Sequence, residues 1–227
     1  MKLSIIIPTY KKPLSIIRCL ESANRYCKDA EIIVVIDDES KLEEARKIND
    51  NFRFVVLGNG TGAPMAMWKG IFVSSGDAVG FIGDDVEFIE EDTDKRIVAT
   101  ICDAPIDAIV GINDGIGSGR AHPFMRKKYW LSGGGFPPCY NHYFGDTELQ
   151  KIAVYHKKWL FKKDIKIVHH HNYHKNQGFK NINILEDPTM ANRIKSKGDG
   201  DMFKKRMSWW EQNGKPRFVP YNIGWEL

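Results

Sequence analysis

The sequence predicts an α/β fold: a mixed, mainly parallel sheet flanked by helices, with a small helical extension at the C-terminal end. Two observations carry this. Short, continuous β-branched runs alternate with segments whose apolar residues recur every three or four positions, the pattern of strands buried on both faces and joined by helices packed on the sheet. Acidic pairs stand directly after the second and fourth runs, at the carboxyl ends of strands, where parallel sheets bind their ligands.

Residues 3–7 form the first run, closed by Pro8, and Pro13 opens a helix with Ile16, Ile17, Leu20, Ala23 and Cys27 on one face. The second run, 32–36, ends in Asp37-Asp38-Glu39-Ser40. Ser40 and Glu43 have capping-box spacing before a helix that turns Leu42, Ala45 and Ile48 inward. Residues 52–57 read as the third strand. After the glycine-rich loop 58–63, Pro64 starts a helix through Met67, Trp68 and Ile71 that stops near Gly76; the loop lacks the Lys-Ser/Thr pair of a P-loop. Residues 78–82 are the fourth strand, ending in Gly83-Asp84-Asp85. The second half is less regular. It offers a strand at 106–112, a mobile loop at 113–119, a second glycine cluster at 133–135 and a helix from about Asp146 through Leu149, Ile152, Ala153 and His156. A strand at 165–168 then leads into His169-His170-His171-Asn172-Tyr173-His174, and two short helices follow Asp187.

The chain of 227 residues is long enough for one large domain without disulfide or metal staples. Its 42% hydrophobic and 27% charged residues exclude a disordered or fibrous protein. The net charge of +4 hides an asymmetry: residues 1–150 carry 17 Lys/Arg against 22 Asp/Glu, and residues 151–227 carry 16 against 7. A basic C-terminal third suits an anionic acceptor, a lipid surface or a merely solvated face, and no nucleic-acid motif accompanies it. The opening MKLSIIIPTY has too short an apolar run for a signal peptide and reads as a strand. No stretch reaches the length of a membrane span, so any membrane contact is peripheral. Four widely spaced cysteines without a CxxC pair read as reduced thiols in a cytoplasmic protein.

Adjacent carboxylates after a buried strand repel unless a cation or hydrogen-bond donors share them. A divalent ion held by one or two carboxylates, with positions left for phosphate oxygens, is a common way to hold a nucleoside diphosphate. The segments 4–10, 31–40, Asn59-Gly60, Gly76-Asp77 and Phe81-Ile82-Gly83-Asp84-Asp85 together resemble the ordered signature of family-2 glycosyltransferases with the GT-A (Rossmann-like) fold. The resemblance covers about the first 90 residues. It implies that Pro8, Thr9 and Asp37 contact the base of a nucleotide-sugar donor, with Tyr10 and Asn59 in the same site. Asp84 then serves the ribose or the metal, and Asp85 the metal. Many members carry the first Asp of a DxD motif where this chain has Gly83, so a ribose contact from that position is missing.

Residues 137–149 resemble the family's acceptor-side segment, in which an acid heading a helix is the general base of inverting members; Asp146 is the candidate. A helix dipole favours the ionised form there, ready to accept a proton, although a simple helix N-cap explains the residue equally well. Alternation puts His169 and His171 on one face of a strand and His170 on the other. The resemblance implies that His171 or His169 completes the metal site, and an imidazole ligand favours Mn²⁺ over Mg²⁺. Arg120 and His122 border the mobile loop and are candidates to neutralise the diphosphate. Trp68, Met67, Trp130 and Tyr129 read as core.

The expected organisation is a domain over 1–185, with a nucleotide-binding half at 1–112 and an acceptor-side half at 113–185, and a basic extension at 186–227. The expected activity is metal-dependent transfer, with Mn²⁺ or Mg²⁺, of a sugar from a UDP-type donor to a hydroxyl of a glycan, lipid-linked or small-molecule acceptor. Sugar-phosphate nucleotidyltransfer and nucleotide-sugar binding without turnover are the rival readings.

Overall fold

The computed structural model describes residues 1–9, 13–36, 43, 46–49, 51–57, 62–115, 118–131, 136–137, 139–170 and 198–213. Eight strands, β1 (Leu3–Thr9), β2 (Glu31–Ile36), β3 (Arg53–Val56), β4 (Ala78–Phe81), β5 (Val86–Phe88), β6 (Ile109–Asn113), β7 (Pro123–Arg126) and β8 (Trp159–His169), form one sheet in the order β3-β2-β1-β4-β7-β6-β8-β5. The pairs β3/β2, β2/β1, β1/β4 and β6/β8 are parallel; β4/β7, β7/β6 and β8/β5 are antiparallel. The helices are α1 (Pro13–Tyr26), α2 (Ala63–Val73), α3 (Thr93–Asp103), the single turn α4 (Lys127–Tyr129), α5 (Gly145–Tyr155) and α6 (Asp199–Gln212).

The unbroken β-branched runs of β1 and β2 feed two cores, because successive side chains point to opposite faces. Ile5, Ile7, Val34 and Ile36 pack with Ile16, Cys19, Leu20 and Ala23 of α1 and Ile97 and Ile101 of α3. Ile6, Ile33 and Val35 pack on the other face with Ala66, Met67 and Ile71 of α2 and Leu149 and Ala153 of α5. Trp130 and Tyr129 lie in this second core, and Trp68 donates from Nε1 to the Phe136 carbonyl at 2.7 Å, so all three aromatics are core residues as expected. The chain runs from β1 outward to β2 and β3, then returns to place β4 on the opposite side of β1. The crevice at the carboxyl ends of β1 and β4 is therefore a topological switch point.

Some elements differ from expectation. β3 is shorter and half exposed because it is the edge of the sheet. β6 begins at Ile109, and Ile106, read as strand, is 73% exposed. β8 begins six residues before 165, its first four residues paired with β6, and the run Lys162-Lys163-Asp164 masks the strand pattern. β5, β7 and α3 are additional elements. Of the helix predicted after Ser40 only residues 43 and 46–49 are described, with Ile48 packed against the first core, while the loop 58–61, the glycine cluster 133–135 and the first helix after Asp187 lie outside the described residues. Among the described residues no helix is long and apolar enough to cross a membrane.

Candidate functional site

At the switch point the Thr9 hydroxyl donates to Asp84 Oδ2 at 2.9 Å, tying the end of β1 to the turn after β4. That turn, Gly83-Asp84-Asp85, is closed by Val86 N donating to the Gly83 carbonyl at 3.2 Å, and both carboxylates are buried. Below it the Cys19 thiol points at the Gly83 carbonyl. Burial, reinforced by Asp84 and Asp85, pushes this thiol well above its ordinary range, so it stays protonated and unreactive.

Antiparallel pairing of β5 with β8 sets Val86 opposite His169, and His170 N donates to the Asp85 carbonyl at 2.8 Å. This register brings His169 Nε2 to 3.2 Å from Asp85 Oδ1. His170 faces the other way, 2.9 Å from Glu87 Oε2. Asp114, directly after β6, and His122, directly before β7, complete the cluster: one ligand atom each from Asp114, His122 and His169 lies within 4.8 Å of the others. By distance and angle neither ring nitrogen of the buried His122 completes a hydrogen bond. Burial, and then the neighbouring His169, drive the His122 pKa well below its usual value, so the ring is neutral and has a lone pair to offer. His122, a candidate to neutralise a diphosphate, stands here with Asp114 and His169. Asp114, His122 and His169 could hold a metal ion, and Asp85 stands beside the group through its contact with His169.

Asp146 stands in the first turn of α5, with its side chain 27% exposed and Oδ2 3.4 Å from Arg120 Nε. The N-cap position belongs to Phe144, at φ +70°, so Asp146 does not cap the helix. Glu148, two residues on, turns inward instead. It accepts from Tyr140 Oη at 2.6 Å and from Arg206 Nε and Nη2 at 2.8 and 2.7 Å.

Of the residues singled out in the sequence, Thr9, Asp84, Asp85 and His169 converge, with Pro8 one residue away in β1. Arg120 and Asp146 form a separate pair. Tyr10, Asp37, Asn59 and His171 lie outside the described residues. Sequence reasoning missed Asp114, although it is an acid at the carboxyl end of a strand, the same signal that marks Asp37 and Asp84. His122 as a partner of His169 carried no local signal, because the antiparallel insertion of β7 creates the contact.

No curated protein matches the chain. Among solved structures, the mannosyltransferase PcManGT from Pyrobaculum calidifontis, in complex with GDP-Man and Mn²⁺, is similar with a TM-score of 0.63 and 16% identity, over 76% of this chain and 59% of that one. S. aureus TarS 1–349 in complex with UDP is similar with a TM-score of 0.60 and 20% identity, over 74% of this chain and 59% of that one. At these identities the likeness speaks to the fold, which is GT-A, and the chain spans 59% of the length of each neighbour. The family model for glycosyl transferase family 2 matches residues 4–169, a stretch that takes in the switch-point crevice, the Asp114–His122–His169 cluster and Asp146; the chain belongs to this family.

Proposed function

We propose that the chain is a metal-dependent glycosyltransferase that moves a sugar from a nucleotide-sugar donor, with UDP the expected carrier, to an acceptor hydroxyl with inversion at the anomeric carbon. The observation that carries this reading is the meeting of Thr9, Asp84, Asp85 and His169 in the crevice at the carboxyl ends of β1 and β4. Pro8, Thr9 and Asp37 are assigned to the base, Asp84 to the ribose or the metal, and Tyr10 and Asn59 to the same donor site. Asp85 and His169, joined by Asp114 and His122, would hold Mn²⁺ or Mg²⁺. Such an ion stabilises the charge on a departing diphosphate. Arg120 is the cation assigned to the diphosphate oxygens. Asp146, on the partly exposed side of α5, accepts the proton of the acceptor hydroxyl as that oxygen attacks. The free cysteines, Cys19, Cys27, Cys102 and Cys139, suit a reducing compartment such as the cytoplasm.

The test is a thermal-shift panel of UDP, GDP and their sugar conjugates, with and without Mn²⁺. A ligand that binds only the native state raises the melting temperature by mass action. Stabilisation by one nucleoside diphosphate that requires metal and vanishes in Asp85→Ala supports the reading, and no shift with any ligand refutes it. Pyrophosphate release from a nucleoside triphosphate and a sugar phosphate would instead favour nucleotidyltransfer. Donor binding with neither hydrolysis nor transfer would favour a binding module.

A further inference from the structure

The helix α6 grips the acceptor-side segment along one stripe. Asp199, Phe203, Arg206 and Trp210 are spaced by four, three and four residues and so share a face. Asp199 Oδ1 accepts from Asn141 N at 3.0 Å, and its Oδ2 accepts from His142 N and Tyr143 N, both at 2.9 Å. Phe203 stacks on Phe144 with ring centroids 5.0 Å apart. Arg206 forks onto Glu148, and Trp210 packs with Ile152 and edge-on to Tyr155. Every one of these contacts falls between residues 140 and 155, and none is made by Asp146 itself. Asp146 sits between the anchors at 141–144 and 148, and the residue two before it, Phe144, has a left-handed backbone that a non-glycine residue holds only when its surroundings impose it.

We propose that α6 is the positioning element of the general base: Asp199, Phe203 and Arg206 fix segment 140–148 and thereby hold the Asp146 carboxylate in its place beside Arg120. This rests on the reading of Asp146 as the base. Leu149 and Ala153 hold α5 to the sheet, and the segment ahead of them, 140–148, carries most of the α6 contacts. Three consecutive amides captured by one carboxylate, a stacked ring under the strained residue and a buried ion pair one turn later define its path at every step. A displacement of about 1 Å at a reacting group costs on the order of a hundredfold in rate, so the grip has catalytic weight even though no α6 side chain reaches Asp146.

The experiment uses the full chain carrying Asp199→Ala, Phe203→Ala or Phe203→Tyr, with Phe203→Ala as the milder change should Asp199→Ala fold poorly. In hydrogen exchange, peptides covering 140–149 are expected to exchange at least about tenfold faster in both alanine variants, while β1, β2 and β4 keep their protection. Hydrolysis of whichever UDP- or GDP-sugar the wild type consumes with Mn²⁺, water standing in for the acceptor, is expected to lose about ten- to a hundredfold in kcat. Nucleoside-diphosphate affinity stays unchanged. Phe203→Tyr, which keeps the stacked ring, retains wild-type values. In an Asp146→Asn background, Phe203→Ala adds no further loss, because it acts through the base. Unchanged protection over 140–149, or an equal loss from Phe203→Ala in both backgrounds, overturns the proposal. An Asp146→Asn enzyme that turns over at the wild-type rate refutes the base assignment itself, and with it the catalytic role given to α6, whatever the exchange data show.

Discussion

Arg206→Met isolates the ion pair that joins α6 to α5. The Arg206 side chain is 0% exposed and that of Glu148 2%, and the guanidinium supplies two of the three hydrogen bonds that Glu148 receives. Methionine fills most of the volume but leaves a buried carboxylate with Tyr140 as its remaining donor. That phenol stays protonated, because burial and then Glu148 push its pKa far above the usual range. Removing one partner of a buried pair typically costs about 3–5 kcal/mol. In a domain of this size each kcal/mol lowers the melting temperature by about 2–4 °C, so a fall of about 6–20 °C is expected. The loss cannot exceed the free energy that keeps α6 docked. If the helix separates first, Trp209 and Trp210 fluorescence will report an early transition before the sheet melts by circular dichroism. Adding Glu148→Gln removes the stranded charge, keeps an acceptor for Tyr140 and should recover half or more of the loss. A melting temperature within about 2 °C of wild type by both probes would refute the reasoning, as would a double variant no better than Arg206→Met.

Other expectations follow from single contacts. A Cβ at Gly83 would lie 2.8 Å from Asp85 Oδ1 and 3.6 Å from His122 Cε1, so Gly83→Ala should displace the Asp85 carboxylate and weaken Mn²⁺ binding by about tenfold in calorimetry with little change in melting temperature. Trp68→Phe leaves the Phe136 carbonyl without its indole donor and should cost about 1–3 kcal/mol in urea unfolding. Burial holds the Cys19 and Cys27 thiols well above 9.0, so the folded state keeps protons that the unfolded state releases. Their contribution is complete below that value and falls as pH rises through it, which should lower the urea midpoint between neutral pH and the range above 9.0. A thiol reagent at neutral pH should label exposed Cys102 readily, and Cys19 and Cys27 only in denaturant.

The parts of the fold that were legible in the sequence are those whose stability is local or two-faced. β1, β2 and β4 are continuous apolar runs because helices cover both sides of them, and burial of that kind leaves no polar positions to confuse the pattern. β5, β7 and the first half of β8 were not legible for the opposite reason. β5 and β7 have three and four residues, and β8 carries lysines on its exposed positions, so their identity comes from strand partners distant in sequence. The site divides in the same way. Asp84 and Asp85 announce themselves as an acidic pair after a strand, and His169 as part of a run of histidines. Asp114 and His122 are brought to His169 only by the β6-β7 insertion, and Glu148 is told apart from Asp146 only by an arginine 58 residues away.

The departure from the family motif at Gly83 has a geometric counterpart. An acidic residue there would bring a Cβ against the carboxylate of Asp85, and a second negative charge into a turn whose two acids are already buried. Glycine leaves that space to the His122 ring, which packs edge-on to His169 at 4.9 Å and has no hydrogen bond of its own. The carboxylate absent from the turn is matched by Asp114, which enters the cluster from the end of β6 rather than from the β4 turn. The cluster thus draws on β6, β7 and β8 as well as on the turn after β4. A ligand held there must respond to the packing of both halves of the sheet, and the same strand β8 that delivers His169 follows directly on α5, whose first turn carries Asp146. His169 and Asp146 thus lie on one continuous stretch of chain, Gly145 to His169, whereas Asp85, Asp114 and His122 come from other parts of the sheet.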